Sequence, residues 1–182
     1  SRLSDVNPSP AFFDQRKLAH INGEYIRALS PDDFVAQATP FLRGGEPARR
    51  ALEQLAVEVR DRVRTLDEVD GMIDFLYLAE PRIDPAAWDK AMGKSGTTPE
   101  LLDSVIAGLA AIGAAAWGPE PVRTVIEKAT IEHGFVNAEG RPQLAKTQGP
   151  IRVAVSGRTV GPPLFESLAV SARTAPWPGC AP

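Results

Sequence analysis

Proline sets the first limit on what this chain can become. Seventeen of the 182 residues are proline. A proline breaks a helix interior and cannot donate in a central strand. Pro31, Pro47, Pro85, Pro99 and Pro121 each stand at the head of a stretch with apolar residues at helical spacing. That is the first-turn position, where the fixed φ of proline suits a helix. The chain therefore reads as all-α, a succession of short helices.

The helices can be set out in order. Residues 1–13 read as a loop, with Phe12 and Phe13 as anchors, and Asp14 caps a helix from Gln15 to Leu29. Leu18, Ile21, Tyr25 or Ile26, and Leu29 share one face of it, and Gly23 lies inside. A short helix follows Ser30-Pro31 and is ended by Pro40 and Gly44-Gly45. Leu52, Leu55, Ala56, Val59, Val63 and Leu66 predict one long helix from Pro47 to Leu66, and a further helix covers Asp67 to Leu78. Pro81 and Pro85 mark a hinge. Beyond it, Leu101, Leu102, Val105, Ile106, Leu109 and Ile112 form one stripe, with Gly108 and Gly113 as points of close helix contact. Val122, Val125, Ile126 and Ala129 form the next, closed by Gly134, and a last element starts at Pro162-Pro163. Ile151 to Val155 is short and fits either a strand or a helix.

Composition narrows the chemistry. Two histidines and one cysteine leave few catalytic candidates, His20, His133 and Cys180, and argue against structural zinc or a disulfide framework. No apolar run approaches the roughly 20 residues that span a bilayer. These features predict a soluble, cytoplasmic protein without metal. Gly93-Lys94-Ser95 imitates the end of a phosphate-binding loop, but Trp88 stands where that loop needs its first glycine.

Two basic groups remain. Arg60, Arg62 and Arg64 fall on the predicted long helix, Arg62 beside its apolar stripe and the other two on the opposite flank, offset by Glu58, Asp61 and Asp67. Arg141, Lys146, Arg152 and Arg158 lie in a segment without Asp or Glu between Glu139 and Glu166, inside a chain of net charge −3. Such a local positive field suits a polyanion.

Two motifs carry a resemblance. Phe13-Asp14, Lys17-Leu18 and Ile21-Asn22-Gly23-Glu24-Tyr25-Ile26-Arg27 resemble a segment of bacterial glutamyl-tRNA synthetases. Pro150-Ile151-Arg152-Val153-Ala154-Val155-Ser156-Gly157-Arg158 followed by Pro162-Pro163-Leu164-Phe165-Glu166 is similar to a later signature of the same enzymes. The likeness covers about residues 3–169 and concerns only the C-terminal, anticodon-binding region. It implies that residues 1–29 end a stem-contact region, that 30–84 and 85–169 are two helical anticodon-binding subdomains, and that 170–182 is an atypical Pro-rich tail.

The resemblance also implies roles. The parent enzyme ligates glutamate to tRNA(Glu) with ATP and magnesium. This chain carries neither of its nucleotide motifs, so it is expected to hold no cofactor and to be inactive alone. Its partners would be tRNA(Glu), through the anticodon loop and stem, and the catalytic domain of the same polypeptide, in a monomer. Arg62 stands where such enzymes place an arginine that reads an anticodon base. Asn22, Tyr25 and Arg27 belong to the stem-contact motif. Arg152 and the loop Gly161-Pro162-Pro163-Leu164 match the distal anticodon contact. Gly161 departs from the Ser or Thr common there, and Pro176, Pro178 and Pro182 disallow the helix with which the family continues. The competing expectation is a helical protein-interaction module that no longer binds RNA.

Overall fold

The computed structural model describes residues 15–94, 96 and 99–174. The expected anchors Phe12 and Phe13, the cap Asp14, Ser95, Cys180 and the prolines after Thr174 lie outside the described residues. Among the described residues, ten α-helices follow one another: α1 (Gln15–Ala28), α2 (Pro31–Ala38), α3 (Gly45–Gln54), α4 (Ala56–Arg60), α5 (Glu68–Ile73), α6 (Pro85–Lys94), α7 (Pro99–Ala110), α8 (Pro119–Glu132), α9 (Leu144–Ser156) and α10 (Leu164–Thr174). Short 3-10 turns cover Thr39–Phe41, Asp74–Leu76 and Ala114–Ala116. Among the described residues, the single bridge between Val136 and Pro142 is the extent of β pairing. The fold is all-α.

Local chemistry explains some of the starts and stops. Ser30 caps α2 by accepting the Asp33 N–H at 3.1 Å, with Pro31 at the first helical position. Gly134 lies at φ +82° just after α8, and its N–H closes the turn on Ile131. Gly93 and Lys94 are inside α6, so no phosphate-binding loop exists there.

The helices bury two apolar clusters. The first gathers Phe34, Leu52, Leu55, Val59, Val63, Val69, Ile73 and Leu76. The second gathers Leu101, Val105, Leu109, Val122, Ile126, Ile151 and Leu168. Helix α10 belongs to both: Leu164 and Leu168 enter the second cluster and Val170 the first. It packs on α8 from one side and on α3 and the 74–76 turn from the other. The Trp117 indole N–H fastens it further, donating to the Ala169 carbonyl at 2.9 Å.

Several expectations are corrected. The predicted helix from Pro47 to Leu66 is two helices, broken at Leu55 (φ −124°, ψ 21°). Its apolar stripe is sound from Leu52 to Val63, but the break lets α3 and α4 both wrap around α2. The predicted helix from Asp67 to Leu78 shortens to α5 and a 3-10 turn. Ile151 to Val155 is helical, because α9 runs through Pro150. The segment from Arg141 to Arg158 thus spends most of its backbone groups on its own helix. On α1, Leu18, Ile21 and Tyr25 are exposed and Ile26 alone of the named stripe is fully buried. On α7, Ile106 is exposed too. Gly108 does permit close contact, since a Cβ there would lie 2.5 Å from Val125, whereas Gly113 faces open space. Gly23 meets no backbone; its nearest neighbour is the Arg27 guanidinium, 3.2 Å from where a Cβ would be. Helix α10 carries regular structure through Val170 to Thr174, into what was expected to be the tail.

Candidate nucleic-acid interface

Three arginines at alternate positions end up with three different surroundings. Helix α4 stops at Arg60, and the turns that follow rotate each side chain separately. Arg60 folds inward, donates to the Leu29 carbonyl at 2.8 Å and pairs with Asp61 at 3.2 Å. It ties α4 to the end of α1 and is not free for a ligand. Arg62 stays exposed and donates to the Glu58 carbonyl at 2.8 Å, which steadies its stem while leaving other guanidinium N–H groups to solvent. Arg64 has its backbone N–H held by the Glu68 carboxylate at 2.8 Å, and its side chain turns toward α1.

Arg152 comes to this surface from α9. It donates to the Pro162 carbonyl, in a half-buried bond that holds the loop before α10. Burial first, and the nearby Arg62 charge second, lower the Arg152 guanidinium below its ordinary pKa. Arg62 and Arg152, distant in sequence, are therefore electrostatic neighbours. Gly161 completes the arrangement, because a Cβ there would sit 3.1 Å from the Arg152 Nη1. A serine or threonine at 161 would crowd the guanidinium unless it shifted.

The loop itself offers less than expected. The Pro162 carbonyl accepts from Arg152, and the Pro163 carbonyl accepts from Ser167 at 2.9 Å. Leu164 points into the second apolar cluster and Pro162 is buried. What remains outward is the half-buried Gly161 and Pro163. Arg158 leaves the basic group altogether. Its Nη2 lies 2.7 Å from Oδ2 of the buried Asp74, an ion pair between the two apolar clusters. Arg141 sits in a surface turn, its N–H held by Asn137 at 2.9 Å.

The α1 residues form a separate group. Tyr25 is exposed, with a long 3.5 Å contact to Gln37, Asn22 is half-buried, and Arg27 is exposed. Arg27 lines an open cleft with Arg16, His20 and Arg64. Arg16, His20, Gly23 and Arg27 share a helix face, a spacing visible in the sequence, whereas Arg64 joins them only through the fold. His20 pairs with Glu24 at 3.3 Å and His133 contacts the Ser104 hydroxyl at 2.8 Å. Among the described residues, no group of His, Cys, Asp and Glu could hold a metal ion. No helix of the described residues is long and apolar enough to cross a membrane.

The model of the anticodon binding domain family matches residues 33–174, which covers α3 to α10 and the loop held by Arg152. The chain belongs to that family. Its curated relatives are glutamate–tRNA ligases. That of Salinispora tropica is 42% identical, over 94% of this chain and 37% of the relative. That of Frankia alni is 42% identical, over 95% of this chain and 36% of the relative. That of Thermobifida fusca is 39% identical, over 95% and 36%. The chain thus spans little more than a third of the length of these ligases. Within it, Arg62, Arg152 and the 161–163 loop all fall inside the matched residues, while the α1 group precedes them.

Proposed function

We propose that this domain reads the anticodon of tRNA(Glu), as the RNA-binding part of a glutamate–tRNA ligase whose ATP- and magnesium-dependent chemistry resides elsewhere in the polypeptide. The observation that carries the reading is an exposed arginine, Arg62, beside a second one, Arg152, inside a matched anticodon-binding domain. Anticodon bases are unpaired, so their polar edges and faces are open to a protein. A guanidinium offers several N–H donors in one plane and can stack on a base.

The two arginines divide the work in this account. Arg62 contacts a base. Arg152 is a positioning residue, holding the 161–163 loop in place and contributing charge from behind it. Residues 30–84 and 85–169 act as two helical subdomains that meet at this surface. The domain works as a monomer in the cytoplasm and, taken alone, does not activate glutamate.

Fluorescence anisotropy with tRNA(Glu) transcripts tests the base-reading role. One good bidentate contact discriminates bases by about 1–3 kcal/mol, or roughly 5- to 150-fold. Arg62→Ala is expected to remove a preference of that order for the cognate anticodon over a transcript with a substituted anticodon base. An equal loss on both transcripts would show that Arg62 contributes charge alone. A folded helical spectrum with no RNA binding would favour a protein-interaction module instead.

A further inference from the structure

Arg62 and Arg152 reach one surface from the two sides of a seam. Arg62 stands between Val59 and Val63 of the first apolar cluster, and Arg152 follows Ile151 of the second. Their spacing therefore depends on how the two clusters are set against each other. Their like charges also repel across the seam. The Asp74–Arg158 pair crosses the same seam, with Arg158 Nη2 donating to Asp74 Oδ2 at 2.7 Å. Asp74 sits in the 74–76 turn beside Ile73 of the first cluster and is 2% exposed. Arg158 is carried at the end of α9, the helix of Arg152. Buried Ser156 makes that end stiff: its hydroxyl donates to the Arg152 carbonyl at 2.8 Å and accepts the Arg158 N–H at 3.3 Å. The Gly157 N–H closes on the Val153 carbonyl at 2.8 Å. A shift of Arg158 thus carries the Arg152 turn with it.

We propose that the Asp74–Arg158 pair determines anticodon specificity without touching RNA, by fixing the spacing between Arg62 and Arg152 across the seam. Both members are positioning residues. The inference rests on the anticodon-reading function proposed above. A group that reads a base has to be held within about 0.5 Å of its productive geometry. Apolar contacts across the seam are non-directional and do not supply that tolerance alone. A guanidinium–carboxylate bond fixes both distance and direction. Its burial also keeps it from being screened by salt as a surface pair would be. The placement of the pair suits this role, because it joins the two chain segments that carry the reading arginines and lies on neither side's RNA-facing loop.

The test uses the whole chain and tRNA(Glu) transcripts with native and substituted anticodons, with binding followed against salt. Asp74→Leu is close in shape and leaves no buried charge, because the Arg158 side chain is 32% exposed and can turn to solvent. It is expected to cut the preference for the native anticodon by about fivefold or more, the low end for one bidentate base contact. Affinity for the substituted transcript and the slope of log K against log salt should stay at the wild-type value. Asp74→Ala, which adds no bulk, is expected to do the same, and it replaces the leucine variant if melting shows that variant unfolded at the assay temperature. Combined with Arg62→Ala, Asp74→Leu should discriminate no worse than Arg62→Ala alone, since it acts through Arg62. A wild-type preference in the Asp74 variants overturns the proposal, and the anticodon reading still stands if Arg62→Ala removes that preference. A uniform gain of affinity with a steeper salt dependence also overturns it, because Asp74 would then act on RNA by charge alone. So does a further loss of discrimination in the double variant. If the wild type itself shows no preference, the anticodon reading fails and the proposal falls with it.

Discussion

Arg158→Ala is expected to cost about 3 kcal/mol of folding stability, because it strips the partner from a buried carboxylate. Asp74 is 2% exposed, and its other oxygen, Oδ1, has no hydrogen-bond partner. Its charge therefore depends on the 2.7 Å bond from Arg158. An exposed ion pair would contribute no more than about 1 kcal/mol, so burial is what makes the difference. For a chain of 182 residues, a 3 kcal/mol loss lowers the melting midpoint by roughly 6–12 °C. Circular dichroism melting of the variant measures this directly. Arg158→Ala combined with Asp74→Asn should recover part of the loss, since no buried charge then remains unpaired. A loss below about 1 kcal/mol in the single variant would mean that the pair behaves as a surface contact.

Gly157→Ala is expected to be more damaging, at about 4 kcal/mol or more, for two reasons that add. Gly157 lies at φ +74°, a left-handed conformation that costs a residue with a Cβ roughly 1–3 kcal/mol. A Cβ would also lie 2.3 Å from the Arg82 carbonyl oxygen and 2.7 Å from the Ile83 Cα. Those neighbours are backbone and cannot swing aside as a side chain can. Relief would push the 82–84 segment away and break the 2.9 Å bond from the Asp84 N–H to the Gly157 carbonyl. Gly134 separates the two causes. It has φ +82° but nothing within 4 Å of a Cβ, so Gly134→Ala carries the backbone strain alone. Urea unfolding midpoints should show the Gly157 variant losing clearly more than the Gly134 variant. Equal losses would mean that the close approach of residues 82 and 83 is unimportant.

Both variants lie on the same seam, where the end of α9 meets the chain leading into α6. Gly157 and Arg158 were legible in the sequence only as members of a signature and of a basic group. Their use is tertiary: the partners, Asp74 and Arg82, are some 80 residues earlier. The helices themselves were easier to read, because first-turn prolines and apolar spacing are local signals. The same signals misled where tertiary contacts took over. Leu52 through Val63 keeps perfect helical periodicity, yet the chain breaks at Leu55 so that two short helices can close around Phe34.

The arginines show the limit most clearly. Arg60, Arg62 and Arg64 look alike in the sequence, and on a continuous helix Arg60 and Arg64 would share a flank. Because α4 ends at Arg60, one is tied to the Leu29 carbonyl, one stays exposed near Arg152, and one faces the α1 cleft. The nearness of Arg62 to Arg152 could be expected only through the resemblance. The seat of Arg152 against Pro162, and the room that Gly161 leaves for it, needed coordinates.

The proposed function stands on the chain binding tRNA and distinguishing anticodons through Arg62. The direct measurement is the affinity of the wild-type and Arg62→Ala chains for tRNA(Glu) transcripts with native and substituted anticodons at low salt. The wild type is expected to prefer the native anticodon, and Arg62→Ala to lose that preference while keeping a helical spectrum. Wild-type affinities that are the same for every anticodon would contradict it.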